Sequence, residues 1–179
     1  MVGNSIGDGW RPVVWPANRP GTVRALPLPA GLPNGALAAG IDEDGSVAGV
    51  LSPYPPGTPY LWPARGIPHA LPVPAGSEGG TADAIQGGMV AGNVFAGNAT
   101  RPALWNLATG GFTLHEAVDT GAVSVNGRGT IGGGGAIIHA DGRVPTLPSR
   151  SVVYAVADNE VAAGTTADFT GQAVRCLGC

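Results

Sequence analysis

A short phrase returns three times along this chain: Arg11-Pro12-Val13-Val14-Trp15, Thr58-Pro59-Tyr60-Leu61-Trp62 and Arg101-Pro102-Ala103-Leu104-Trp105. A period of roughly 40 residues belongs to repeat proteins, in which one supersecondary unit is copied and stacked. The residues between the copies repeat as well. A Leu-rich segment follows each phrase: Leu26-Pro27-Leu28-Pro29, Leu71-Pro72-Val73-Pro74 and Phe112-Thr113-Leu114. Then comes a tight pair. Ala39-Gly40-Ile41 and Ser46-Val47-Ala48-Gly49 flank Asp42-Glu43-Asp44-Gly45, and Ala84-Ile85 precedes Met89-Val90-Ala91-Gly92. Val123-Ser124-Val125 with Thr130-Ile131-Gly132, and Ala155-Val156-Ala157 with Glu160-Val161-Ala162, complete the series. Asp-Gly, Asn-Gly and Asp-Asn at the junctions supply the positive φ that closes a hairpin.

Four short strands per unit predict an all-β fold, a β-propeller-like array of four-stranded antiparallel blades. Counted from the Trp phrase, the units span 11–50, 58–93, 101–133 and 136–165, with partial units at 1–10 and 172–179. A blade cannot bury both faces alone, so stacking supplies the core and each Trp fills the space between neighbours. In the fourth unit Ala136-Ile137-Ile138-His139 stands in for the phrase, which puts His139 at the Trp position; in the fifth, Cys176 takes it. With 31 Gly and 17 Pro the chain has a composition compatible with disorder. The 44% of hydrophobic residues excludes that reading, and the apolar bursts between turn formers leave no window for an amphipathic helix. At the ends, Met1–Gly3 is expected to be an outermost strand and the segment 172–176 an innermost one. Such a ring is unclosed, and its blade edges invite self-association.

The Ala-x-x-Ile-Asp-x-x-Gly-x-Val-x-Gly pattern, a variable loop, a Pro/Ala-x-Leu-Trp phrase and a Leu-rich strand together resemble the HAF repeat, an extracellular repeat family of bacterial proteins. Pro or Tyr stands here where that family has His-Ala. The resemblance covers residues 1–176 and implies propeller blades and a secreted or cell-envelope location. It carries no catalytic residue that transfers to this chain.

Individual motifs add little chemistry. Gly3-Asn4-Ser5-Ile6-Gly7 has the form of a nucleophile elbow, but Asp8-Gly9-Trp10-Arg11-Pro12 cannot supply the helix an elbow needs. Asp42-Glu43-Asp44-Gly45 looks like the start of a calcium loop without its distal Glu, and a polar turn accounts for it. Cys176-Leu177-Gly178-Cys179 is half a zinc site, and a buried apolar role or a disulfide are the other readings. His69, His115 and His139 fall in strands of different units with no shared ligand spacing, so no metal or other cofactor is expected. Four aromatics, Trp10, Tyr54, Phe95 and Phe169, fall in the connections from a fourth strand to the next unit's first. Gathered on one face of a propeller, they are the candidate binding residues, suited to stacking on a sugar or gripping a peptide.

The net charge of −3, with all nine basic residues Arg, argues against nucleic acid. No run of 18 apolar residues is present to span a membrane. The leading function is a non-enzymatic binding or scaffold module with a protein or carbohydrate ligand. A lyase or hydrolase with its site at a channel mouth is the second reading, and a non-functional piece of a longer propeller the third.

Overall fold

A computed structural model of the chain describes residues 1–7, 9–32, 35–52 and 56–166, together with the backbone of 173–177. The described residues form an all-β fold without helix, arranged as five small antiparallel sheets, each a simple meander. The first holds β1 (Val2–Gly7), β2 (Gly9–Val14) and β3 (Arg24–Ala25). The second holds β4 (Ala36–Ile41), β5 (Val47–Leu51), β6 (Thr58–Trp62) and β7 (His69–Ala70). The third holds β8 (Gly79–Gln86), β9 (Met89–Ala96), β10 (Ala99–Asn106) and β11 (Gly111–Leu114). The fourth is β12 (Ala122–Val125), β13 (Ile131–Gly133) and β14 (Ala136–Ile138); the fifth is β15 (Ser151–Val156), β16 (Val161–Thr166) and β17 (Ala173–Leu177).

Two features differ from the expectation of four consecutive four-stranded blades. Only the second and third sheets have four strands among the described residues. Hydrogen bonding also groups the strands in another phase. From the second sheet onward the tight pair opens the sheet and the strand at the Trp position is its third member, so a unit counted from the Trp phrase begins in mid-sheet. The end strands change roles accordingly. β1 pairs with the Trp15 strand as β5 and β9 pair with theirs, which makes it second in position, not outermost. β17 follows β16 as β6 follows β5, which makes it third, not innermost.

One irregularity recurs at the same place. The register slips by one residue between Ala38 and Gly40, Ala82 and Ala84, Ala122 and Ser124, and Val153 and Ala155. Each slip is a bulge with an extra residue: Ala39, Asp83, Val123 or Tyr154. Opposite each bulge lies a glycine: Gly49, Gly92, Gly133 or Gly164. A Cβ on any of these four would collide with the carbonyl oxygen of Leu37, Thr81, Gly121 or Val152 respectively. The repeated glycine of the sequence is therefore a steric requirement of the bulge, not a turn residue.

The sheets pack face to face in chain order, and each seam has its own apolar cluster. Val14 and Leu26 meet Val47, Tyr60 and Trp62; Leu61 and Leu71 meet Ile85, Val90 and Trp105. Leu104 and Ala91 meet Val125, Ile131 and Ile138, and Ile137 meets Val153, Val156 and Ala162. Successive residues of a strand point to opposite faces. Leu61 thus enters one seam and Trp62 the other, which is why apolar residues are consecutive in a sheet covered on both sides.

Trp62 and Trp105 are each 2% exposed. Each indole N–H donates 2.7 Å to a carbonyl of the preceding sheet's Leu-Pro segment, Pro27 for Trp62 and Pro72 for Trp105. Trp15 departs from the expected burial: it is 37% exposed, because no described sheet precedes the first. The fourth sheet corrects a second assignment. Ile131 pairs with Ile138 as Val47 pairs with Trp62 and Val90 with Trp105, so Ile138 holds the Trp position and His139 lies one residue beyond it. The register Ala162 to Cys176 does put Cys176 at that position.

Candidate functional site

The hairpins that open the sheets meet at one end of the array. The Asp42 carboxylate accepts the backbone N–H of Gly87 at 2.9 Å and of Gly88 at 2.7 Å. Asp158 accepts Gly127 N–H at 2.7 Å, and the Asn126 side-chain amide donates to Ala157 O at 3.0 Å. Gly87 and Gly127 come so close that a Cβ on Gly87 would lie 2.8 Å from the Gly127 Cα, and Gly87 has φ +58°. Only glycine meets both conditions there. Burial pushes the Asp42 carboxyl up, but the N–H groups of Gly88, Glu43 and Gly87 outweigh it and hold it below its ordinary 3.8.

The Asp42–Gly87–Gly88 contact floors an open cleft of about 1020 Å³ between the second and third sheets. The second sheet lines it with Asp42, Glu43, Asp44, Ser46, Leu61, Pro63–Ile67 and His69, and the third with Gly87, Gly88, Leu107 and Ala108. Ile67 stands 84% exposed at the rim, beside exposed Arg65 and His69. The ring of His69 is oriented by a 3.0 Å contact from Nδ1 to Ile67 O. The acidic run is committed to local structure: Asp44 accepts both the N–H and the hydroxyl of Ser46, and Ser46 Oγ accepts Ala64 N–H. These bonds tie the rim loop to the hairpin and make the wall rigid. The cleft sets apolar surface of the third sheet, Leu107 and Ala108, beside the Arg65 guanidinium and the acidic hairpin of the second, a combination suited to holding a polar ligand by its edges.

A second polar centre joins the third and fourth sheets. Asn93 donates from Nδ2 to Ala122 O at 3.2 Å and to Asp83 Oδ2 at 2.7 Å, while its Oδ1 accepts Ala122 N–H at 2.8 Å. Thr81 Oγ1 donates to the same Asp83 oxygen at 2.6 Å. Burial pushes the Asp83 carboxyl up, with the Thr81 and Asn93 hydrogen bonds opposing. Asn4 makes the same two-way contact two periods earlier, to Ala38 N–H at 2.7 Å and Ala38 O at 3.0 Å. Ala38 and Ala122 are equivalent by register, so the Asn amide clamps alternate seams, first to second sheet and third to fourth, while Val50 holds the equivalent position of the second sheet.

The two carboxyl groups predict opposite pH responses. Asp42, lowered from 3.8, contributes stability above that pH and loses it as the pH falls through its folded value. Asp83, raised from 3.8, favours the folded chain most when protonated, and that contribution is lost as the pH rises through its folded value. Urea midpoints between about pH 2 and pH 7 should show Asp42→Asn flattening the acid-side loss and Asp83→Asn flattening the decline toward neutrality. Superimposable wild-type and variant curves would contradict both assignments.

Of the four aromatics singled out from the sequence, the two among the described residues, Trp10 and Phe95, lie in different sheets. Trp10 lies within β2, half-buried, paired with Ile6 and bridged to Gly35. Phe95 lies within β9, opposite Thr100, and lines a hollow of about 210 Å³ with Pro56 and Glu78. Both are strand residues, not loop residues, and the second sheet stands between theirs. Tyr54 and Phe169 fall outside the described residues. Ser5, the nucleophile of the elbow-like motif, is exposed in the middle of β1 and paired with Arg11, so the strand-to-helix turn is not formed.

His69 is in β7, but His115 and His139 lie just past β11 and β14, not in strands. The Nε2 atoms of His115 and His139 are buried without a partner, and burial lowers the pKa of His115. Cys179 and the side chain of Cys176 are outside the described residues. Among the described residues no group of three or more His, Cys, Asp and Glu is placed to hold a metal, and no helix is long and apolar enough to cross a membrane. Arg65, Ile67 and the Asn clamps escaped the sequence reading; the one signal that could have found the clamp is the Gly-Asn pair shared by Gly3-Asn4 and Gly92-Asn93. No family model matches the chain, and no curated protein matches it.

Proposed function

We propose that the chain is a binding or scaffold module of blade-like repeats, with the cleft between the second and third sheets as its ligand-holding surface. The observation that carries this reading is the cleft itself: its floor is a cross-sheet bond from Asp42 to two backbone N–H groups, so its two walls are held in fixed relation before any ligand arrives. An exposed isoleucine flanked by an arginine and a histidine fits an apolar anchor within a polar rim. A protein or carbohydrate ligand suits this surface.

The propeller arrangement belongs to the same proposal. The first strands of successive sheets, β4, β8, β12 and β15, pack against one another, and Gln86 of the third sheet reaches Asp158 of the fifth at 3.5 Å. Opening strands that converge while closing strands diverge are what blades around an axis require. The resemblance to HAF repeats supports the same geometry and an exported or cell-envelope location.

Binding to immobilised oligosaccharide and extended-peptide panels, read with the wild-type chain and with Ile67→Glu and Arg65→Glu, tests the site. A ligand retained by the wild type should lose about tenfold or more in affinity with either variant. A ligand held equally by all three chains would place binding elsewhere.

A further inference from the structure

The third sheet is longer than its neighbours. Its strands β8, β9 and β10 each run 8 residues, while no other described strand exceeds 6. From the glycine opposite its bulge, β5 stops at Leu51, whereas β9 continues past the equivalent Gly92 to Ala96. The seam clusters do not need this overhang: the last β9 residue they use is Val94. What the overhang carries is Phe95.

Phe95 stands in a row with Gly79 of β8 and Thr100 of β10. Directly paired residues share a face of the sheet. One neighbour has no side chain and the other a short one, so the phenyl ring is left half-buried, and no other aromatic ring packs on it among the described residues. The ring forms one side of a hollow of about 210 Å³, whose other sides include Pro56, Glu78, Asn98 and Thr100. Backbone contacts fix those sides. Glu78 N–H donates to Phe95 O at 2.8 Å, and Gly80 N–H donates to Gly57 O at 2.8 Å. Gly79 has φ +143°, and a Cβ there would collide with Gly57 O and come within 3.0 Å of the Pro56 Cβ. Only glycine allows that approach. Gly97, with φ +59°, takes the first position of the β9–β10 turn and sets Asn98 at its tip.

Three polar side chains line the hollow: the Glu78 carboxylate, the Asn98 amide and the Thr100 hydroxyl. None of the three makes a side-chain hydrogen bond or ion pair among the described residues; Thr100 reaches Asp119 through its backbone N–H, at 3.2 Å. From this we infer that the hollow is a binding site for the ring of one neutral pyranose sugar. The C–H face of the sugar lies on the Phe95 ring, and its hydroxyls meet the three polar groups. A sugar hydroxyl both donates and accepts, as do the amide and the Thr hydroxyl, while the carboxylate only accepts. An ammonium ligand would satisfy Glu78 and leave the Asn98 N–H groups unmatched, and an acidic sugar would set a second carboxylate against Glu78. Sites for drug-sized ligands measure about 300–1,000 Å³, so this smaller one suits a single ring. It lies at the strand ends opposite the Asp42 hairpin, and either it or the cleft can fail without the other.

The test titrates the full chain with the methyl glycosides of glucose, galactose, mannose and N-acetylglucosamine, and with methyl glucuronide, by NMR. At least one neutral glycoside should shift the Phe95 ring and Asn98 side-chain amide resonances saturably, with a Kd of about 1 mM. Methyl glucuronide should bind about tenfold more weakly than its glucose counterpart. Phe95→Leu, which keeps an apolar side chain and loses the flat face, should cost about tenfold or more in affinity. Glu78→Gln, at an exposed position where the fold is not at stake, should cost about tenfold. No shift at Phe95 or Asn98 with any neutral glycoside at about 50 mM would overturn the proposal. So would undiminished binding by Glu78→Gln, equal affinity for the glucuronide, or shifts at the Ile67 methyl in place of Phe95, which would put the sugar in the cleft.

Discussion

Trp62→Ala is expected to destabilise the chain by about 3–5 kcal/mol, the range for removing a large buried aromatic, and Trp105→Ala by a similar amount. Both side chains are almost wholly buried in a seam between sheets, and deletion leaves a cavity together with an orphaned carbonyl, Pro27 O or Pro72 O. Trp62→Phe separates the two contributions. It retains most of the packing and removes the donor, and a loss of about 1–2 kcal/mol is expected from the hydrogen bond and the missing ring volume together. Trp15→Ala is the internal control: its partly exposed ring covers no seam between described sheets, so its cost should be about 0.5 kcal/mol or less. Urea unfolding of the four variants decides. Equal effects at Trp15 and Trp62 would show that burial between sheets is not what the repeated Trp supplies.

The second large effect is expected at Asn93. One amide satisfies both backbone groups of Ala122 and one oxygen of the Asp83 carboxyl, in a buried seam. Asn93→Ala leaves all three without that partner and should cost about 3 kcal/mol. Asn4→Ala removes the equivalent clamp at a residue open to solvent, where water can replace the amide, and should cost about 1 kcal/mol. Asn93→Asp gives a sharper signature. It brings a second carboxylate against Asp83, so it should be least stable near neutral pH and recover as the pH falls and the pair takes up a proton. A pH-independent Asn93→Asp deficit would mean that Asp83 and residue 93 are not in contact in solution.

Part of this architecture is legible along the chain for definite reasons. The Leu61-Trp62 and Leu104-Trp105 pairs are consecutive because their sheets are buried on both faces, and that requirement acts residue by residue. The repeated Val-x-Gly is legible too, since any side chain at Gly49 or Gly92 would strike the bulged neighbour strand. The candidate site was not legible. Its floor joins Asp42 to Gly87 and Gly88, residues 45 and 46 positions apart, and nothing local at either end announces the other. The aromatics, by contrast, stood out in the sequence because they are large and lie near turns, but the strands carry Trp10 and Phe95 to the first and third sheets, with the second between them.

Local sequence therefore determined what kind of strand each segment forms, where hairpins close, and that the chain is all-β. Those choices depend on neighbours one or two residues away: alternating exposure, turn chemistry and the room a glycine leaves. It could not determine where a sheet begins. A period is unchanged by moving its starting point, so four strands per repeat read equally well from the Trp phrase or from the tight pair. Only the pairing of backbone N–H and C=O groups between strands breaks that symmetry. It makes Ile138, not His139, the partner of Ile131, and it leaves Trp15 open while the same residue type at 62 and 105 is enclosed by the sheet before it.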